Sequence, residues 1–152
     1  MILVTDEIAK ALESLSLFER DFRRLPDPEA KTLYVELLDT FVDGGDRRWW
    51  WEALKQEQTS IQFDDNKGFE RIPLLVPDSR ESVWFIAEEA QMPFYPIYEA
   101  TPETITKVLG ECYAFEYYIV PKSKEWLLCE NHHGYVIGVG NAVKERLVRI
   151  AA

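Results

Sequence analysis

Ala114-Phe115-Glu116-Tyr117-Tyr118-Ile119-Val120, Glu125-Trp126-Leu127-Leu128-Cys129-Glu130 and Tyr135-Val136-Ile137-Gly138-Val139-Gly140 are three apolar, β-prone runs near the end of a 152-residue chain. Only Pro121–Lys124 and Asn131–Gly134 separate them. Links that short, rich in Pro, Asn and Gly, predict an antiparallel three-stranded meander. Along the middle run, Trp126 and Leu128 alternate with Leu127 and Cys129, and all four are apolar. A sheet with one wet face shows clean apolar/polar alternation, so this sheet needs cover on both faces, from helices or from a second chain.

Outward from the meander, the period changes. Thr101-Pro102-Glu103-Thr104 has the form of a helix start, with a capping Thr, then Pro, then acid. Ile105, Val108, Leu109 and Cys112 supply that helix's buried face. Asn141 can open a last helix through Val143, Leu147 and Ile150. Further upstream, Val83–Ala87 and Tyr95–Tyr98 read as strands, the second placed at an edge or bulge by Pro96. Ile72–Val76 reads as extended, Ser60–Phe63 alternates, and Asp64–Gly68 is a turn or loop.

The N-terminal third is helical in pattern. Ile8, Leu12, Leu15, Phe18 and Phe22 recur at helical spacing over Thr5–Phe22. Asp27 and Pro28 suit the cap and first position of a second helix, whose stripe is Ala30, Leu33, Tyr34, Leu37, Leu38 and Phe41. Gly44-Gly45 ends it. Asp46 can cap a third helix carrying Trp49-Trp50-Trp51. Three consecutive residues cover about 200° of a helix, so those indoles cannot share one core stripe: the helix is wedged between two surfaces or one Trp lies near solvent. The expected fold is a single α+β domain over residues 1–152. Its mostly antiparallel sheet, with the C-terminal meander, is packed by about four main helices, three of them N-terminal.

Composition narrows function. Hydrophobic residues are 47% and aromatics 13% of the chain, which is enough to build a core and too much for a disordered chain. Net charge is −10; residues 1–60 and 61–100 each carry −5, while 101–152 are neutral. No basic stripe exists for a phosphate backbone, so nucleic acid is not an expected partner. Two cysteines, Cys112 and Cys129, provide no disulfide framework. Met1–Val4 runs into acid at once, unlike a signal peptide, and no apolar run approaches the roughly 20 residues that span a bilayer. A reducing cytoplasm and no membrane contact are expected.

Few motifs point to chemistry. Gly138-Val139-Gly140 lacks the third glycine of a dinucleotide loop, and too little chain follows to complete a nucleotide fold. Cys129-Glu130-Asn131-His132-His133-Gly134 holds both histidines. Cys129, His132 and His133 are the only candidate metal cluster, yet their spacing fits no standard zinc pattern. Successive strand residues face opposite ways, so a tight hairpin with hydrogen-bonded imidazoles is the better reading, and no cofactor is expected. The pairs Asp64-Asp65 and Glu88-Glu89 read as solvated surface. The candidate binding residues are Trp49, Trp50 and Trp51, since Trp is enriched at interface hot spots, with the helix-face acids Glu13, Glu36 and Asp39.

Phe115-Glu116-Tyr117-Tyr118 together with Trp126-Leu127-Leu128-Cys129-Glu130-Asn131-His132-His133 resembles an uncharacterised bacterial domain family with the signature E-Y-Y … W-L-L-C-E-N-H-H. More loosely, the helical first half, acidic middle and late meander are similar to the SUKH superfamily, which includes bacterial toxin-immunity proteins and relatives of a yeast cell-wall glucan-synthesis regulator. The resemblance implies a binding module rather than an enzyme and assigns no functional residue. The leading expectation is therefore a non-enzymatic immunity or regulatory domain with a basic protein partner. A small-molecule or metal-dependent enzyme centred on the Cys129–His133 hairpin, and a structural subunit of a homo-oligomer, are the alternatives.

Overall fold

A computed structural model describes residues 2–151. Its strands are β1 (Phe22–Arg24), β2 (Gln58–Gln62), β3 (Val83–Ala87), β4 (Ile97–Ala100), β5 (Tyr117–Pro121), β6 (Leu127–Glu130) and β7 (Tyr135–Val139). They form one sheet in the order β1-β4-β3-β5-β6-β7-β2, antiparallel at every pairing. The helices are α1 (Val4–Ser14), α2 (Asp27–Phe41), α3 (Ile72–Leu75), α4 (Pro102–Leu109) and α5 (Asn141–Ala151). The α+β class, the antiparallel sheet and the C-terminal meander are as the sequence pattern predicts. No helix among the described residues is long and apolar enough to cross a membrane.

Both sheet faces are covered by helices of the same chain. On one face α1, α3, α4 and α5 pack Ile8, Ile72, Ile105 and Leu147 against Phe85, Ile119 and Leu128. On the other, α2 and the Trp50 segment cover Ile86, Tyr118, Leu127 and Cys129. The doubly apolar run Trp126–Cys129 thus divides between two cores, residue by residue, as strand geometry requires.

Four local expectations are corrected. The first helix stops at Ser14 rather than reaching Phe22. Ser16 takes a left-handed conformation (φ 58°), while Leu17 N–H donates to Leu12 O at 2.9 Å and Ser16 N–H to Glu13 O at 3.1 Å. That double closure is a Schellman stop with Ser in the usual Gly place. Phe18 is left exposed, and Phe22 opens β1 opposite Ala100.

The third N-terminal helix is absent; Trp50–Glu52 makes only one 3₁₀ turn. Val42 bridges Leu54, and Asp43 N–H donates to Ala53 O at 2.7 Å, pinching the two ends of residues 43–53 together as a closed loop, whereas a helix would carry them apart. Ile72–Leu75 is helical, not extended, with Pro73 in its first turn, where the missing N–H costs nothing. Asp27 lies inside α2 as a first-turn acid, its capping position taken by Pro26. Conversely, Thr101 caps α4 as its sequence suggests, its Oγ1 accepting from Thr104 N–H at 3.3 Å.

The Gly138-Val139-Gly140 motif is structural. A Cβ on Gly138 would lie 2.7 Å from Leu147 Cδ1 and 2.8 Å from Val143 Cγ1, so the bare backbone lets α5 lie close on β7. Gly140 turns the chain into α5 at φ 92°.

Candidate functional site

The β6–β7 turn is built by Asn131. Its buried side-chain oxygen accepts from His133 N–H and Tyr135 N–H, both at 3.0 Å, while Gly134 closes the turn at φ 79°. Asn side chains mimic a backbone turn in this way. His132 and His133 are thereby held at the tip of the hairpin, ring centroids 4.0 Å apart.

On the α2 side, the hairpin is fastened to Glu116, a carboxylate only 1% exposed. Trp51 Nε1–H donates to both its oxygens at 3.2 Å, and His132 N–H donates to Oε2 at 2.8 Å. His132 Nδ1 contacts the same oxygen. A carboxylate oxygen accepts, so in this contact the ring N–H at Nδ1 is the donor. Trp49 and Trp51 flank the ring of His132 at 5.4 and 5.9 Å. A buried charge is tolerated when donors surround it, and removing the partner of such a network leaves its members unpaired. Glu116→Ala is accordingly expected to cost about 2–3 kcal/mol and to red-shift the emission of Trp51 as the hairpin detaches. An unchanged spectrum and melting curve would show that the hairpin holds itself.

On the opposite face lies a cavity of about 410 Å³, within the range of ligand pockets. Phe69, Leu109, Cys112, Tyr113, Phe115, Tyr117, Glu130 and the histidines are among its lining residues, and no Lys or Arg is. Glu130 is its acidic group. Tyr117 Oη–H donates to Glu130 Oε1 at 2.8 Å, and no other side-chain hydrogen bond reaches that carboxyl among the described residues. Room for it comes from Gly68, where a Cβ would stand 3.1 Å from Glu130 Oε2 and 2.4 Å from Val136 Cγ2. Burial pushes the Glu130 carboxyl above the usual carboxylate range, against the Tyr117 hydrogen bond that stabilises its charge. Burial also lifts the Cys112 thiol to about 11.

The structure separates the residues of the proposed metal cluster. Cys129 is fully buried in the α2-side core, its thiol pushed well above the ordinary range by burial, whereas His132 and His133 are exposed at the turn. Among the described residues, no three His, Cys, Asp or Glu side chains gather to hold a metal ion. The tryptophans also part company: Trp50 has no exposed surface, while Trp49 and Trp51 are half-buried over the hairpin. Glu13 on α1 and Glu36 and Asp39 on α2 are exposed but lie on opposite sides of the sheet. Asp65 pairs with Arg71 at 2.7 Å and Glu88 with Arg48 at 2.9 Å, while Glu89 accepts from Val4 N–H at 2.7 Å.

Sequence reasoning passed over Glu116, Tyr117, Gly68 and Phe69 as site residues. The available signal was an acid set beside Tyr117-Tyr118 in a run otherwise apolar, in a segment destined for a buried strand.

Searches of curated proteins and of solved structures found no match to the chain. Residues 2–151 match the family of unknown function DUF6756, and the chain belongs to that family.

Proposed function

We propose that this domain is a non-enzymatic protein-binding module of the immunity or regulatory kind, acting in the cytoplasm on a basic partner. The supporting observation is unneutralised surface charge. Among the described residues, ion pairs with Lys or Arg engage seven of the 27 acidic side chains: Glu36, Glu52, Glu57, Asp65, Glu88, Glu99 and Glu103. A field of one sign steers an opposite one and raises association rate more than it tightens the final complex. The likeness to SUKH proteins points the same way, and two free thiols suit a reducing compartment.

With a partner identified by pull-down, its association rate should fall roughly tenfold or more between low and physiological salt. The fold sharpens the test, because Glu13 and the Glu36/Asp39 pair occupy opposite sides of the sheet. Glu13→Lys and the double variant Glu36→Lys/Asp39→Lys should therefore slow association unequally, and the more damaging set marks the docking side. Association indifferent to salt and to both variants would leave the acidity as a solubility feature.

A second reading, a small-molecule enzyme, is favoured by one contact. Glu116 fixes the His132 ring beside a cavity, the arrangement that prepares an imidazole to move a proton.

A further inference from the structure

We infer that the cavity beneath the His132-His133 hairpin receives a cationic side chain of the partner, an arginine above all, against Glu130. The inference rests on the reading above that the domain binds a basic protein; what it adds is the point of insertion. Three features converge there. The cavity carries a carboxylate and no lysine or arginine among its lining residues. Its walls include the aromatic rings of Phe69, Tyr113, Phe115 and Tyr117, flat faces on which a guanidinium stacks better than an ammonium. The carboxylate is under-satisfied: among the described residues Tyr117 is its one side-chain donor, Gly68 keeps its second oxygen clear of a side chain, and burial penalises its charge. A half-buried carboxylate short of donors is costly to the free protein and gains from a cation that supplies them.

The chemistry also orders the candidates. A guanidinium gives two parallel N–H donors to a carboxylate, whereas a lysine ammonium offers a single point charge. Tyr113, 83% exposed at the rim, is free to close over the aliphatic stem of an inserted side chain.

The probe is Nα-acetyl-arginine amide, with Nα-acetyl-citrulline amide as its neutral isostere, followed by NMR chemical-shift titration of the whole chain. Shifts at Tyr113, Tyr117 and His133 should saturate with the arginine probe at about tenfold lower concentration than with the citrulline probe. Glu130→Gln should erase that tenfold preference while leaving the fold intact. Should Glu130→Gln fail to fold, Tyr113→Ser, at a position exposed enough to be harmless to the core, should weaken arginine binding about threefold. Equal binding of the two probes, or an arginine preference that survives Glu130→Gln in a folded protein, overturns the inference. Partner association separates the two readings. Salt-dependent association without arginine binding overturns the pocket alone. Arginine binding whose loss in Glu130→Gln leaves partner association unchanged would make the ligand a free small cation, which also overturns insertion by the partner. Salt-insensitive association removes the reading beneath both.

Discussion

Trp50→Ala is expected to lower stability by about 3–5 kcal/mol, the range for deleting a large core side chain, and the melting temperature by on the order of 10 °C. Trp50 has no exposed surface, and its ring lies 4.8 Å from Tyr118, 5.4 Å from Tyr34 and 5.8 Å from Tyr95. Those three rings come from β5, α2 and the segment before β4, so the indole ties a loop, a helix and the middle of the sheet together. Trp50→Phe keeps an aromatic face for all three neighbours and should cost less than half as much. Thermal melts followed by near-ultraviolet circular dichroism measure both. A loss below about 1 kcal/mol for the alanine variant, the range of surface substitutions, would mean that residues 43–53 are draped on the core rather than part of it.

Gly140→Ala should cost about 3 kcal/mol, through strain at φ 92° and a Cβ placed 2.6 Å from the backbone oxygen of Glu125. Backbone cannot step aside as a side-chain tip can. Two other glycines separate the contributions. Gly44 has φ 85° but open space around it, so Gly44→Ala carries the conformational cost alone, about 1 kcal/mol. Gly138→Ala carries crowding alone, against the ends of Leu147 and Val143, which can rotate. Urea denaturation of the three variants should rank Gly140 well above the others. Equal losses at Gly140 and Gly44 would place the whole effect in backbone conformation.

These positions also show where local pattern is informative. α4 was legible because its signals are consecutive: Thr101, Pro102 and Glu103 act on the same turn, and the Thr cap forms as expected. The meander was legible because its links are short and its doubly apolar runs demand two covered faces. By contrast, β1 is three residues long and exists because β4 offers it an edge. Nothing within Phe22–Arg24 distinguishes it from the end of the preceding helical stripe. The tryptophan segment has a good helical pattern, overridden by a bridge between Val42 and Leu54 that no local window contains. The site follows the same rule. The hairpin and its turn were readable, since Asn131 and Gly134 act within four residues. The carboxylate that anchors it was not, because Glu116 meets Trp51 across 65 positions and His132 across 16.

The two outermost strands, β1 and β2, both come from the first 62 residues, yet their neighbours are β4 and β7. A ribosome therefore releases the borders of the sheet before its middle exists. β2 has no ladder to join until Tyr135–Val139 has been made, and the N-terminal helices meanwhile carry apolar stripes with nothing to cover. Contacts so remote along the chain place such a domain among the slower folders, in the millisecond-to-second range, and leave the nascent chain dependent on its charge for solubility. The net charge of −10 falls in the first 100 residues, the part made while the sheet is still incomplete, and like charge opposes the pairing of unfinished chains strand to strand.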